Sequence, residues 1–142
     1  MAPRDTISFF VPGLPMPHKT PKRYGRAAVP NPRTHAWKGV VSAYALRVRQ
    51  KPLLEGPLHV RALFVLPRLA PMRAEFEIHA VRPDGDNLFK ALADSLNGII
   101  YRDDGQVAHP EAFKVYGRRP GVHVQIRVIE EVPAWVVDLL GA

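Results

Sequence analysis

The sequence contains no cysteine, and this absence removes several classes of protein from consideration. A chain without thiols has no disulfide framework, no zinc–thiolate site and no cysteine nucleophile. It also lacks any apolar run approaching the ~20 residues that a membrane-spanning helix needs. Because its first residues lack the apolar core of a signal peptide, we expect a cytoplasmic protein with no membrane partner.

Acidic residues are scarce in the first part of the chain. Residues 1–50 hold nine Lys and Arg against a single acid, whereas residues 51–142 hold eleven against twelve. The formal net charge of +7 therefore comes from the N-terminal part. Such a basic excess attracts a polyanion such as DNA, although solubility alone would also account for it.

Apolar alternation with period two predicts five strands, over residues 6–11, 58–66, 75–81, 107–116 and 122–129. Residues 12–32, between the first strand and the first helix, contain six prolines. Proline lacks the backbone N–H that helices and central strands use, so this segment is predicted to be a long loop. Loops of this length in compact domains are often functional.

Apolar spacing at i, i+3, i+4 and i+7 predicts a helix over residues 33–50. A second helix is predicted to begin at Asp86 or Asn87 and to end at Asn97-Gly98, and a short one to cover residues 133–140. The predicted fold class is α/β (α+β), a single domain over residues 1–142 with a mixed, mostly antiparallel sheet and two principal helices. Its core covers about residues 7–129, and residues 130–142 form a tail.

Several carboxylates and one lysine are concentrated between residues 84 and 104. Asp84 lies at a predicted strand end, Asp86 at a helix start and Asp104 in a turn. Carboxylate oxygens are hard ligands that suit Mg²⁺ or Mn²⁺, so these three could converge on one cation. Lys90 follows Asp86 by one helical turn and could hold a phosphate, with Asp94 one turn further on.

A purely structural interpretation of the same residues also exists. Asp86, Lys90 and Asp94 could form a solvated ladder on a helix, with Asp103-Asp104 in an ordinary turn. Other ligand-binding motifs fit less well. An EF-hand beginning at Asp84 would lack its glycine and its final glutamate, and no glycine-rich phosphate loop is present. The six histidines show neither H-x-H nor H-E-x-x-H spacing, which gives a histidine-based metal site little support.

Three segments together resemble the signature of the RusA family of Holliday junction resolvases. The family pattern is D-x-D-N-L-x-K, then D-x-L, then D-D-x-Q-V. Here it corresponds to DGDNLFKA from Asp84, DSLNG from Asp94 and DDGQV from Asp103. The proline-rich loop containing Pro21-Lys22-Arg23 is also similar to that of family members. The resemblance spans roughly residues 7–129.

The resemblance implies a small homodimeric endonuclease, dependent on Mg²⁺ or Mn²⁺, that nicks four-way DNA junctions symmetrically in recombination and repair. Family members are often encoded by phages or prophages. The essential acids of the family match Asp84, Asp86 and Asp104, which would bind the metal, and its important lysine matches Lys90. A two-fold dimer with one site per subunit would supply the two nicks that a symmetric junction requires.

Basic residues in loops and on the first helix are candidates for contacts to the DNA backbone, namely Lys19, Lys22, Arg23, Arg26, Arg33, Lys38, Arg118 and Arg119. Two other functions stay open. One is a catalytically silent protein that binds junction DNA. The other is a metal-dependent nuclease acting on flap or duplex DNA. A nicking assay with and without Mg²⁺, on junction and on matched linear DNA, separates the three.

Overall fold

The protein folds around a five-stranded mixed sheet. The computed structural model describes residues 6–141, so residues 1–5 and 142 of the predicted domain lie outside the described part. The strands of the main sheet are β1 (Thr6–Pro12), β4 (Leu58–Leu66), β5 (Glu77–Ile78), β6 (Val107–Tyr116) and β7 (Gly121–Val128). A separate two-stranded hairpin consists of β2 (Lys22–Tyr24) and β3 (Ala27–Val29).

The strand order in the main sheet is β1-β7-β4-β6-β5. β4 and β6 pair in parallel, while the other three neighbouring pairs are antiparallel. Parallel strands need a crossover connection, and the helix between them supplies it. The prediction of a mixed, mostly antiparallel sheet in one α+β domain is therefore confirmed.

Three helices accompany the sheet: α1 (Pro32–Val48), α2 (Gly85–Ser95) and α3 (Ala134–Leu140). The Asn31 side chain caps α1 by accepting hydrogen bonds from Arg33 N and Thr34 N, and Pro32 occupies the first turn. Within residues 6–141, no helix is long and apolar enough to cross a membrane.

The core lies between one face of the sheet and the two longer helices. Trp37 and Val41 of α1, Leu88 and Leu92 of α2, and Phe64 of β4 are buried in one continuous apolar cluster. The Ser42 hydroxyl of α1 donates to Ser95 O at the end of α2, 2.8 Å away, which joins the helices. This packing fixes α2 against the sheet, and α2 carries two of the predicted catalytic residues.

The prediction of a loop throughout residues 12–32 is wrong for the middle of that segment. Its middle forms the β2–β3 hairpin, which turns at Gly25 with a φ of 62°. Both strands are exposed along their whole length. Their residues show no apolar alternation because neither side faces a core, so the pattern that predicts strands elsewhere was missing here.

The strand predicted over residues 75–81 is much shorter than expected, since β5 is only Glu77–Ile78. His79 is buried, while Phe76 and Ile78 are 58% and 73% exposed. After His79, the carbonyls of Val81 and Pro83 accept hydrogen bonds from the Lys114 side chain instead of from a strand. Backbone pairing with β6 therefore ends at His79, and the Lys114 side chain provides the next hydrogen bonds to this segment.

Helix α2 begins earlier than predicted. Asp84, and not Asp86 or Asn87, is the residue before its first turn, and Leu88 N donates to Asp84 O at 3.1 Å. The predicted end is close to the observed one, with Gly98 in the left-handed conformation at a φ of 76°. At the C-terminus, Pro133 precedes α3 and is not within its first turn.

Candidate active site

A cleft of about 500 Å³ lies between α2, the turn before β6 and the first half of β6. Three of the four predicted catalytic residues line it: Asp86 and Lys90 from α2, and Asp104 from the turn. The other lining residues are Gly85, Phe89, Ala93, Val107, Pro110 and Ala112. Residues from two separate sequence motifs therefore meet at one concave surface.

Asp86 and Lys90 reach the cleft because they are one turn apart on α2. One oxygen of Asp86, Oδ1, accepts a hydrogen bond from Asn87 N at 3.0 Å. Lys90 Nζ is 3.9 Å from Asp94 Oδ2, and the same oxygen is 3.8 Å from Lys38 Nζ. With 53% of its side chain exposed, Lys90 is only loosely paired and accessible to an anion.

Asp84 lies at the amino end of α2, one residue before Gly85 of the cleft. Its side chain is exposed and is not among the residues that line the cleft. A carboxylate in this position commonly caps the helix. Among the described residues, however, it makes no capping hydrogen bond, so its oxygens are not used to stabilise the helix start.

A short 3₁₀ turn, Asp104–Gln106, presents Asp104 to the cleft. Asp103 caps this turn, because its Oδ2 accepts a hydrogen bond from Gly105 N at 3.0 Å. A β-carbon at Gly105 would lie 2.6 Å from the same oxygen, so only glycine fits without displacing the cap. Adjacent aspartates thus have different positions: Asp103 builds the turn, and Asp104 faces the cleft.

Gln106 attaches the turn to the rest of the domain. Its Oε1 accepts hydrogen bonds from Arg102 N and Asp103 N, at 3.0 and 3.2 Å. Its Nε2 donates to Leu54 O and Gly56 O, at 3.0 and 3.1 Å. Every hydrogen-bonding direction of this amide is occupied by backbone groups, which explains why the D-D-x-Q pattern needs its glutamine.

Tyr101 connects the turn to α2 beneath the cleft. It is fully buried, and its hydroxyl donates to Ala93 O at 2.7 Å. Burial raises the pKa of this phenol far above its usual range, and the negative charges of Asp104, Asp94 and Asp103 raise it further. The phenol therefore stays neutral and remains a hydrogen-bond donor.

Most of the predicted DNA-contacting residues lie in the hairpin and the segments beside it. Lys19, Lys22, Arg23, Arg26 and Arg33 are all exposed. The loop that leads into the hairpin is attached to α2, because His18 N donates to Asn87 O at 2.8 Å. It is also attached to α1, where the Thr34 hydroxyl donates to Pro17 O. The basic hairpin is thus anchored beside the amino end of α2.

The remaining basic candidates have different surroundings. Lys38 contacts Asp94 and is half-buried. Arg118 and Arg119 belong to the turn between β6 and β7 and line a groove with Val65 and His123, on the side of the sheet away from α2. The Arg119 guanidinium also lies 4.8 Å from the centre of the Phe10 ring.

The sequence patterns did not identify two polar features of the sheet, a single lysine and a cluster of two histidines and a glutamate. One is Lys114 of β6, whose Nζ donates to Val81 O at 2.7 Å and to Pro83 O at 2.9 Å. It pairs with Phe64 across the strands, so it has the inward parity of its strand. A lysine at an inward position is the signal that could have identified it.

The second group is His59, His109 and Glu111, whose ligand atoms lie within 4.8 Å of one another. The two imidazole rings stack 3.9 Å apart, and His59 Nε2 lies 3.4 Å from Glu111 Oε1. Sequence spacing offered no signal for this cluster, because only the parallel register of β4 and β6 brings it together.

Cationic neighbours surround that cluster. Arg61 Nε donates to Glu111 Oε2 at 2.7 Å, and Arg127 Nη2 is 3.5 Å from His59 Nδ1. Burial lowers the pKa of His59, and the nearby His109 lowers it further. The Arg61 bond also lowers the pKa of Glu111. Two guanidinium groups and two stacked parallel rings suit an ion-pair network better than a cation site.

Comparison with known proteins places these features in a family. Residues 12–127 match the family described as Endodeoxyribonuclease RusA. The chain is also 29% identical over 139 residues to a protein of Bacillus subtilis (strain 168) named uncharacterized protein YqaN, covering 88% of this chain and 98% of that protein. The family match spans most of the chain and includes every residue of the cleft. The chain therefore belongs to the RusA family of endodeoxyribonucleases.

Proposed function

We propose that this protein is a metal-dependent Holliday junction resolvase, which hydrolyses phosphodiester bonds in four-way DNA by paired, symmetric nicks. The observation that supports this most directly is the meeting of Asp86, Lys90 and Asp104 in one cleft of a RusA-family chain. Asp86 and Lys90 come from the motif at the start of α2, whereas Asp104 comes from the motif in the turn after that helix. A purely structural charge ladder on α2 would not need an acid from the following turn.

The divalent ion would be held by Asp84, Asp86 and Asp104. These residues offer the hard oxygen donors that Mg²⁺, or Mn²⁺ in its place, prefers. Their carboxylate chemistry suits such an ion, and among residues 6–141 none of the three forms an ion pair. Asp84 adjoins the cleft through Gly85 and does not line it. Asp103 is not included, since its carboxylate caps the turn. When bound, the ion supplies Lewis-acid polarisation of the phosphate and a more acidic water.

Lys90 would stabilise the negative charge that develops on the phosphate during hydrolysis. Its ammonium is half-exposed and held loosely by Asp94, at a distance of 3.9 Å. Asp94 therefore limits the positions of the lysine without neutralising it through a tight contact. A positive charge placed in advance beside the reacting phosphate costs no reorganisation when the reaction occurs.

The DNA backbone would be bound by basic side chains on the hairpin and α1, near the amino end of α2, and by two arginines in the β6–β7 turn on the other side of the sheet. The candidates are Lys19, Lys22, Arg23, Arg26, Arg33, Lys38, Arg118 and Arg119. Such contacts fix the position of a duplex arm without reading its sequence. The attachment of the hairpin loop beside Asn87 supports a DNA path along the amino end of α2.

A homodimer would supply two equivalent sites for two nicks. A symmetric substrate is the reason for this proposal, and size-exclusion chromatography with light scattering tests it. We further infer that the protein acts in the cytoplasm, at the nucleoid, in DNA recombination or repair, and that its gene is of phage or prophage origin. The catalytic domain would comprise about residues 7–129, with residues 130–142 as an appended tail.

Cleavage of a labelled four-way junction tests the proposal, with a linear duplex of the same arm sequence as the control. We expect Mg²⁺-dependent paired nicks in the junction and little cleavage of the duplex. Equal cleavage of both substrates would indicate a duplex nuclease. Preferential cleavage of a flapped substrate would indicate a flap nuclease. Tight junction binding without cleavage would indicate a catalytically silent binder.

A further inference from the structure

Lys114 stabilises the segment that leads into α2. Its ammonium donates two hydrogen bonds, to Val81 O at 2.7 Å and to Pro83 O at 2.9 Å. Both acceptors belong to the connection between β5 and α2, whereas Lys114 lies on β6, more than thirty residues later in the chain. The lysine thus joins two parts of the domain that backbone pairing leaves separate.

Backbone pairing between these segments ends at the same place. His79 N donates to Lys114 O at 3.1 Å, as a continuation of the β5–β6 ladder. Beyond His79 the chain leaves the edge of the sheet, and the Lys114 side chain provides the next two attachments. A charged donor makes stronger hydrogen bonds to carbonyl oxygens than a neutral amide does.

The position of these attachments relative to Asp84 makes them relevant to the cleft. Pro83 directly precedes Asp84, and Asp84 directly precedes the first turn of α2. The aliphatic stem of Lys114 also lies against the helix start, since a β-carbon at Gly85 would be 4.0 Å from its Cδ. Lys114 therefore holds the backbone just before Asp84 and passes close to Gly85 just after it, while the Asp84 carboxylate makes no helix-capping bond among the described residues.

We propose that Lys114 is a positioning residue, which holds the backbone before Asp84 so that the Asp84 carboxylate can reach a divalent cation at the cleft. This inference rests on the proposed metal-dependent function. Asp86 and Asp104 are oriented by a helix and by a capped turn. The Asp84 carbonyl accepts from Leu88 N, but Asp84 follows an irregular segment, residues 80–83, whose hydrogen bonds within residues 6–141 are the two from Lys114.

The test compares three untagged, full-length variants with the wild type. Lys114→Met keeps the aliphatic stem and removes both hydrogen bonds. Lys114→Arg restores two donors, and Lys51→Met removes a lysine from an exposed position in the connection between α1 and β4. The measurements are Mn²⁺ affinity by calorimetry without DNA, the Mg²⁺ concentration for half-maximal junction cleavage, and the melting temperature.

We expect Lys114→Met to weaken Mn²⁺ binding, and to raise the Mg²⁺ requirement, by about tenfold, as is typical when a residue that supports a metal ligand is lost. Saturating Mg²⁺ should restore most of the cleavage rate, so the effect appears in the metal dependence and not in the maximal rate. Lys114→Arg should recover most of the affinity, and Lys51→Met should match the wild type.

An unchanged Mn²⁺ affinity and Mg²⁺ requirement in folded Lys114→Met would overturn the inference. A lower melting temperature alone would make Lys114 a simple structural attachment, and weaker junction binding alone would make it a DNA contact. If Lys114→Met fails to fold, Lys114→Gln, which keeps one donor group, takes its place with the same expected direction. If wild-type cleavage does not depend on Mg²⁺, the proposed function fails and this inference fails with it. If wild-type cleavage does depend on Mg²⁺, the Lys114 inference can fail by itself.

Discussion

The two sides of the sheet both carry polar clusters, but their charges are arranged differently. On the side away from α2, Glu111 accepts a hydrogen bond from Arg61 and lies 3.4 Å from His59, and Arg61 also donates to Gln125. In the cleft beside α2, the carboxylates of Asp86 and Asp104 face the same space. Among residues 6–141 neither of them forms an ion pair.

This difference indicates that the carboxylates of the cleft, and not the cluster around Glu111, are available to bind a cation. Glu111 is already paired with the Arg61 guanidinium, so its carboxylate is engaged without a ligand, although the buried His59 Nε2 has no hydrogen-bond partner among the described residues. Carboxylates that line one cleft without an ion-pair partner are available to a ligand, and a fold keeps such arrangements mainly at functional sites. A cation would find unpaired carboxylates in the cleft, whereas it would compete with Arg61 and Arg127 in the Glu111 cluster. The predictions below test this contrast, in order of decreasing expected effect.

The largest expected effect comes from removing one carboxylate of the cleft. Asp104→Asn should reduce junction cleavage by at least about a thousandfold, since charge stabilisation by a bound ion is worth several kcal/mol in the transition state. Asp84→Asn and Asp86→Asn should behave alike. Junction affinity should stay near that of the wild type, because the variant also repels DNA less. The measurement is a single-turnover cleavage rate together with a binding isotherm.

Asp103→Asn is the matched control for Asp104→Asn, one residue away. Asparagine caps a turn about as well as aspartate, so cleavage and stability should both be retained. Asp103→Ala should cost about 1 kcal/mol of unfolding free energy through loss of the cap. Robust Mg²⁺-dependent cleavage by Asp104→Asn, or loss of cleavage in Asp103→Asn, would contradict the different roles assigned to the two residues.

Lys90→Ala should lower the single-turnover cleavage rate by about a hundredfold, since it removes a charge that stabilises the transition state. If Lys90 served only as an exposed ion pair with Asp94, its loss would lower stability by only ~0.3–0.5 kcal/mol and would leave the cleavage rate unchanged. The rate and the melting temperature therefore distinguish the two roles. An unchanged rate would assign Lys90 to the solvated surface of α2.

The two basic regions can be compared through the salt dependence of junction binding. Each neutralised phosphate on a duplex arm contributes about −0.9 to the slope of log affinity against log salt. Replacing Lys22 and Arg23 by Ala should flatten this slope and weaken binding to all sequences alike. The same change at Arg118 and Arg119, which lie on the far side of the sheet, should have a smaller effect. Identical slopes for the wild type and the hairpin variant would place the hairpin off the DNA path.

The smallest expected effect is in the Glu111 cluster. Glu111→Gln should leave cleavage unchanged and cost under about 1 kcal/mol of stability near neutral pH, since Glu111 and Arg61 are both half-exposed. The folded-state pKa of Glu111 is lowered, mainly by Arg61. Its contribution is therefore present above the ordinary pKa of 4.5 and is lost as pH falls through the folded value. Urea unfolding of wild type and variant should give curves that converge on acidification. Loss of cleavage in Glu111→Gln would show that the cluster is not merely structural.

Much of the fold was predictable from local sequence patterns. The strands predicted over residues 58–66 and 107–116 coincide with β4 and β6, and the first helix differs by at most two residues at either end. One-sided burial against a core imposes a regular apolar period, which can be recognised in the sequence. The hairpin escaped this reasoning, since its exposed strands, Lys22–Tyr24 and Ala27–Val29, have no buried side to impose a period. The strand over residues 75–81 was predicted, but only Glu77–Ile78 forms it.

The amino-acid sequence by itself determined the family, the α+β class and the chemical identity of the candidate site. Motif residues such as Asp86, Lys90 and Asp104 are specified by type and spacing, which are properties of the sequence. The tertiary structure decided which of two adjacent aspartates faces the cleft, because that depends on the hydrogen bond between Asp103 and Gly105 N. It also decided that Lys114 stabilises the segment before Asp84. Contacts between residues so far apart in the chain depend on strand register and packing, which no local pattern encodes.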